Sequence, residues 1–385
     1  MKKYIRYILI TIVLAFAIPL IKTITSGHKT TSMGKYVNCV IYLQGYHSKD
    51  VNYSVGFNYE MLKKFEKFSR RNLSIRLSNK GEAPLDSLIK DSMQIVVTPY
   101  NDSLMKSDNL YISKLVSDSI VWAIPRGRKD FLKEINKWLL HYESSAEYKV
   151  LRNRFRPSYE PYKRLTTGKA YSVLSPYDSI IKVNSKIPGW DYRLLTAIIW
   201  QESKFRIEAI SHKGAKGIMQ MMPSTSAKYK INNILDANEN IHAGAVHLKK
   251  IQDSFAKYFS GKELIMVSLA AYNSGEGIIW KCINYADSLG KPFSSWRDIE
   301  NVLPAIKNSK YQSISYVKNI LSLYKAFCAI ESGQSLPDPH LTQTIKEVEA
   351  ETLSQDTTEN HTQESKKAQG VREHKKGNNY QDRVL

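Results

Sequence analysis

Cysteine is scarce. The 385 residues hold three, Cys39, Cys282 and Cys328, and a sparse, odd set is not the framework of a disulfide-rich domain. One bridge between Cys282 and Cys328 is compatible with the count and not required by it. No HExxH or CxxC motif occurs. His242 and His247 are five apart, so they do not stack on one helix face as i, i+4 ligands would. Neither a metal site nor a cofactor is read from the sequence. Acidic residues are the second shortage: 36 Asp and Glu stand against 56 Lys and Arg, a formal net charge of +20. That balance suits nucleic acid, anionic lipid or an acidic wall polymer as partner or surroundings. The apolar run from Tyr7 to Ile21 falls short of the roughly 17–25 residues of a spanning helix.

That run nevertheless follows Lys2, Lys3 and Arg6, and a basic start before an apolar stretch reads as an export signal. Export argues against nucleic acid as the partner. No small-x-small cleavage site follows, nor a Cys placed for lipoprotein processing. Residues 1–30 are therefore either a signal peptide or an uncleaved membrane anchor. With 42% hydrophobic residues, the rest of the chain is long and apolar enough for two cored domains.

Residues 35–160 alternate between strand and helix patterns. "YVNCVIYL", "LSIRLS", "MQIVVTPY" and "SDSIVWAIP" read as strands. "FNYEMLKKFEKFS" carries Tyr59, Leu62, Phe65 and Phe68 as a helix stripe, "PLDSLIKDS" is a short helix, and "DFLKEINKWLLHYESSAEYKVLRNRF" a long one. Alternation of this kind predicts a small α/β lobe on a largely parallel sheet. From Ser175 onward only helical patterns occur. Residues 170–335 are expected to form a mostly α domain, so the chain is α+β and multidomain. Beyond Leu336 apolar residues thin out, and 336–385 is expected to be a disordered tail.

Within the helical half, Leu194, Leu195, Ile198 and Ile199 mark an apolar stripe, and Glu202 lies at its end rather than on the opposite face. A carboxylate there is either paired in a local ion pair or kept protonated. The following stretch, "SHKGAKGIMQMMPSTSAKY", spaces Gly214 and Gly217 for tight turns and sets Gln220 inside a run of methionines. Gln220 needs hydrogen-bond partners from the protein or from a ligand. Tyr272 and Asn273 stand at a helix end just before Gly275 and Gly277. Taken singly, the methionines fit core packing and the glycines fit helix caps.

In order, the residues say more. Glu202-Ser203, Ser211, Gly214-Ala215, Gly217-Ile218-Met219-Gln220, Pro223, Asn240-Ile241, Gly244 and Ala270-Ala271-Tyr272-Asn273-Ser274-Gly275 resemble the soluble lytic transglycosylase domain, a lysozyme-like domain that cleaves peptidoglycan. The resemblance runs from about Ser175 to Cys328. It implies that Glu202 is the catalytic acid and that Ser211, Met219, Gln220, Tyr272 and Asn273 line the sugar cleft. "DIENVLP" resembles a later cleft region and brings in Glu300. "SISYVKNIL" resembles the last helix and brings in Tyr316, although Ser313-Ile314 replace the usual Thr-Arg before it.

Glycosidases ordinarily use two carboxylates. The resemblance implies one glutamate acting as acid and then base. The glycosidic oxygen between N-acetylmuramic acid and N-acetylglucosamine is protonated, and the muramoyl 6-hydroxyl closes a 1,6-anhydro ring. An apolar setting raises the pKa of the donor as such a role needs. A hydrolytic muramidase of the same fold and a non-catalytic wall-binding protein are the competing functions. The partners implied are peptidoglycan strands, with the cell envelope, and the periplasm in particular, as the location.

The first lobe has a likeness of its own. "GFNYEMLKKFEKF", "DSMQIVVTPY" and "AIPRGRKDFLKEINKWL" resemble pieces of the solute-binding domain fused to the membrane-bound transglycosylase F group. Members of that group have two lobes, whereas here Val116 to Pro125 runs straight into the final helix of lobe one. Half of a solute-binding domain is expected to dock an envelope protein or regulate the enzyme rather than close over a small ligand.

Overall fold

The computed structural model describes residues 33–43, 51–79, 82–100, 107–116, 120–155, 159–290, 293–306 and 312–334. The export signal or anchor read in 1–30 and the tail read in 336–385 lie outside the described residues. Among the described residues no helix is long and apolar enough to cross a membrane, and all three cysteines are free thiols. The chain divides into two compact units. The first is residues 1–158 with Arg206–Asn240, and the second is Tyr159–Phe205 with 241–385. Residues 206–240, which the sequence pattern groups with the helical half, therefore pack with the α/β half.

The first unit is built on five strands, β1 (Tyr36–Ile41), β2 (Asn72–Leu77), β3 (Ile95–Pro99), β4 (Leu110–Ile112) and β5 (Ile120–Pro125), in the order β2-β1-β3-β5-β4. β1 pairs in parallel with β2 and β3, while β5 runs antiparallel to both β3 and β4. The sheet is thus mixed, not largely parallel. The short β4, too brief to show an alternating pattern, is what returns β5 in the opposite sense.

Helices α1 (Val51–Ser69), α2 (Pro84–Ile89), α3 (Lys129–Glu143) and α4 (Ala146–Phe155) cover the sheet. Successive strand side chains point to opposite faces. Val121 and Ala123 join Val40, Val96, Leu110 and Leu88 of α2 on one face. Trp122 points to the other, where Phe65 of α1 and Trp138 of α3 meet it at ring-centroid distances of 5.6 and 5.8 Å. Each such burial stabilises the fold by about 1.5–3 kcal/mol. The α1 stripe is shorter than its pattern suggests, because Tyr59, Leu62 and Phe65 are buried while Phe68 is exposed. The long helix expected after Asp130 is two helices. It breaks at Ser144-Ser145, where both hydroxyls turn back and donate to the carbonyls of His141 and Tyr142.

The arm 206–240 holds α8 (Pro223–Lys228) and the start of α9 (Ala237–Phe255). Glu239 lies in the first turn of α9. Asp236 caps that turn, its Oδ1 accepting from the amides of Asn238 and Glu239 at 2.9 and 3.1 Å.

The second unit is helical: α5 (Pro161–Leu165), α6 (Asp178–Asn184), α7 (Tyr192–Ser203), the rest of α9, α10 (Gly261–Ser274), α11 (Glu276–Ser288), α12 (Trp296–Val302), a 3₁₀ turn (Leu303–Ala305) and α13 (Gln312–Ser332). α13 packs along α7 and α10. Its buried residues Tyr316, Val317, Ile320, Leu323, Phe327 and Ile330 recur at helical spacing, so one face meets both neighbours.

Candidate functional site

α7 positions Glu202. Asp191 caps its start, accepting from the Arg193 amide at 2.9 Å. Leu194, Leu195, Ile198 and Ile199 are buried, as the stripe predicts. The helix stops one residue after Glu202 because Lys204 and Phe205 both take left-handed backbone angles, φ 53° and 64°. Neither is glycine, so the turn is strained by about 1–2 kcal/mol per residue. What holds it is packing. Phe205 is buried against Trp200 and Phe327, and the Lys204 ammonium lies 4.9 Å from the Trp200 ring centre.

Tyr316 on α13 donates its hydroxyl to Glu202 Oε1 at 2.5 Å. Removal from water pushes the Glu202 carboxyl up from 4.5 to about 7, against the lowering effect of the Tyr316 hydrogen bond. The negative end of the α7 dipole works in the same direction as burial. Burial, with Glu202 and Tyr272 nearby, pushes the Tyr316 phenol well above its ordinary range, so this phenol remains a donor. The pair can hold and release a proton near neutral pH. Of the two alternatives for Glu202, no ion pair with a basic side chain forms among the described residues, and its partner is the Tyr316 hydroxyl.

Tyr272 and Asn273 close α10, which ends where Gly275 turns to φ 90°. Asn273 is exposed, and its Oδ1 accepts from Ser313 Oγ at 3.4 Å. Ser313, one of the two residues that depart from the usual Thr-Arg, thus ties α13 to the end of α10. His247 of α9 meets Tyr272 at 5.6 Å between ring centres; its sequence position among apolar α9 residues carries no signal of this. Glu300 lies half-buried on α12. The second unit therefore brings Glu202, Tyr316, Tyr272 and Asn273 to connected helices, with α12 packed on α10.

Ser211, Met219 and Gln220 belong to the first unit. Ser211 closes a turn, its amide donating to Ala215 O at 2.9 Å and its Oγ accepting from the Ala215 amide at 3.0 Å. Gln220 has φ 48° and spends its amide hydrogens on Ala209 O and Gly217 O, at 3.0 and 2.9 Å. The protein itself supplies the partners that this glutamine needs. Met219 is fully buried and its amide donates to Asn240 Oδ1 at 2.9 Å. Gly217, at φ 81°, must be glycine: a Cβ there would lie 2.2 Å from Asn240 Nδ2. A second carboxyl with a raised pKa sits in this arm. Both oxygens of Glu208 are buried with no side-chain partner among the described residues, and burial lifts the group to about 7 against the lowering effects of its own backbone amide and of Arg206. No cluster of His, Cys, Asp and Glu among the described residues could hold a metal ion.

Residues 179–292 match the family model described as the transglycosylase SLT domain. Membrane-bound lytic murein transglycosylase F of Desulfosudis oleivorans is 25% identical over 221 residues, 53% of this chain and 49% of that protein. The protein of the same name from Marinobacter nauticus is 30% identical over 169 residues, 41% of this chain and 34% of that one. Among solved structures, the 70 kDa soluble lytic transglycosylase of Escherichia coli aligns at 15% identity with a TM-score of 0.34, covering 75% of this chain and 47% of that one. The chain spans about half the length, or less, of these relatives. It thus carries, at residues 179–292, a segment that matches the transglycosylase SLT domain, and over a longer stretch it is similar to the membrane-bound lytic murein transglycosylase F proteins, as its ordered motifs imply.

Proposed function

We propose that this protein is a peptidoglycan lytic transglycosylase. It cleaves the β-1,4 bond between N-acetylmuramic acid and N-acetylglucosamine and leaves a 1,6-anhydromuramic acid end, in remodelling or turnover of the wall. The observation that carries this reading is the Glu202–Tyr316 pair, a carboxyl held near pKa 7 and oriented by a buried phenol. A general acid works best with a pKa near the working pH. Protonated Glu202 delivers its proton to the glycosidic oxygen as the bond breaks. The substrate's own N-acetyl group stabilises the positive centre. The carboxylate then takes the proton of the muramoyl 6-hydroxyl as that oxygen bonds to the anomeric carbon. Proton and electron pair balance, and no water is consumed. Holding the hydroxyl next to the reacting carbon gains several kcal/mol over a free nucleophile.

Ser211, Met219, Gln220, Tyr272, Asn273 and Glu300 are assigned to the sugar cleft and Tyr316 to its wall. The SLT domain is assigned a lysozyme-like fold, and residues 35–160 the role of a reduced solute-binding lobe that docks an envelope protein or regulates the enzyme. Residues 1–30 direct the chain to the envelope, with the wall exposed to the periplasm. Digestion of purified sacculi followed by mass spectrometry tests the reaction. The expected fragments end in anhydromuramic acid, one water lighter than a lysozyme product and inert to borohydride. Reducible muramic acid ends would make the protein a muramidase, with Glu300 the first residue to examine as the water-activating base. Intact sacculi would leave a wall-binding role.

A further inference from the structure

An unbroken set of hydrogen bonds runs from the α/β sheet layer to the turn that carries Met219 and Gln220. Tyr59 of α1 is buried, and its hydroxyl donates to Asp236 Oδ2 at 3.1 Å while receiving Asn233 Nδ2 at 3.4 Å. Asn233 Nδ2 also reaches Ile75 O on the outer edge of β2 at 3.3 Å, and its Oδ1 accepts from the Leu235 amide at 3.0 Å. The Asp236 carbonyl accepts from the Asn240 amide at 3.0 Å, fixing the first turn of α9. Asn240 is fully buried. Its side chain takes the Met219 amide, donates to Ile234 O at 3.3 Å, and fills the space that a side chain at Gly217 would occupy. All these residues lie in the first unit.

From this connection we infer that Tyr59 is a positioning residue for the transglycosylase reaction, bracing the Gly217–Gln220 turn from the α/β lobe through Asp236, Asn233 and Asn240. Three features single it out. The link spans 177 residues of sequence between Tyr59 and Asp236, so no local turn preference creates it. Its members are buried or half-buried, where each bond is shielded from competition with water. And its far end carries two residues assigned to the cleft, one of them in a left-handed conformation that requires external support. A lobe with this task needs no small ligand of its own. The role rests on the functional reading only in taking Met219 and Gln220 as cleft residues.

The test uses the full chain and Tyr59→Phe, which keeps the ring and removes the hydroxyl. Glu134→Gln is the control: it cuts the Arg71–Glu134 ion pair in the same lobe, which is not part of the hydrogen-bonded chain from Tyr59 to Met219. Hydrogen exchange is the readout independent of activity. Loss of about one net hydrogen bond predicts roughly five-fold faster exchange of the 217–221 amides in Tyr59→Phe, with the β1 and β3 amides and the Glu134→Gln protein unchanged. On sacculi, KM should rise by about the same factor with kcat held, because the reacting group on α7 is untouched. Unchanged 217–221 exchange in Tyr59→Phe, or an equal rise in Glu134→Gln, overturns the proposal. If wild-type protein leaves sacculi intact, the functional reading fails while the exchange result still decides the brace.

Discussion

Tyr316 reaches across 114 residues of sequence to place its hydroxyl on Glu202 Oε1 at 2.5 Å. The phenol orients the carboxyl and favours its ionised form, while burial favours the neutral form and wins. In the proposed reaction, the acid that protonates the leaving oxygen and the base that accepts the 6-hydroxyl proton are then the same group in two states.

Glu202→Gln should leave the fold unchanged and lower sacculus cleavage by about 10²–10⁴-fold, the usual cost of removing a general acid. Circular dichroism and product release, measured on one sample, check both halves. Near-normal turnover by the folded variant would remove Glu202 from the mechanism.

The proposed role of Glu202 puts loss of its proton on the alkaline side of the pH profile. Activity of the wild-type protein should fall as pH rises through about 7. Tyr316→Phe deletes the contact that lowers this pKa, so the falling limb should move to higher pH while the maximal rate drops. A limb that stays in place, or moves toward acid, would show that another group titrates there.

One part of the candidate site was legible in the sequence. The stripe from Leu194 to Ile199, buried in the structure, placed Glu202 at an apolar boundary because helix periodicity is local; the cleft roles of the other residues rest on the order of the motifs. What periodicity could not reach was long-range pairing. Asn233 lies in no periodic pattern, yet its amide is spent on Tyr59 and Ile75. Ser313 looked like a departure from pattern, yet it bonds Asn273. β4 has three residues, too few to alternate visibly, and missing it made the sheet look parallel.

Glu208 gives a stability prediction. Its carboxyl titrates near 4.5 when unfolded and near 7 when folded, so between those values the native state holds a proton that the unfolded chain has lost. Stability from this group is fully present below about pH 4.5 and declines as pH rises through 7. Glu208→Gln should therefore be stabilising at pH 8, by about 1–2 kcal/mol after allowance for partial exposure, and near neutral at pH 4. Thermal melts at the two pH values decide it; equal effects at both would mean that Glu208 is not buried as an acid.

Gly217→Ala combines a left-handed backbone with a Cβ 2.2 Å from Asn240 Nδ2 and 2.9 Å from Ile234 O. About 2–3 kcal/mol of destabilisation is expected from the strain and the displaced Asn240 contact. Denaturant melts should register it, and a change below about 0.5 kcal/mol would mean that the turn can open without consequence.

At the end of α7 remote from Glu202, Asp191 accepts from Arg193 and from Tyr324 of α13, and Arg193 and Tyr192 both reach Glu331 near the close of α13. The two antiparallel helices are therefore pinned at both extremities, by charge at one and by the Glu202–Tyr316 contact at the other. A beam fixed at both ends cannot rotate about its axis to take the acid out of alignment. For the proposed acid, the reorganisation that a free carboxylic acid would undergo in water is completed once, when the chain folds, and the helix pair holds that alignment as part of its rigidity.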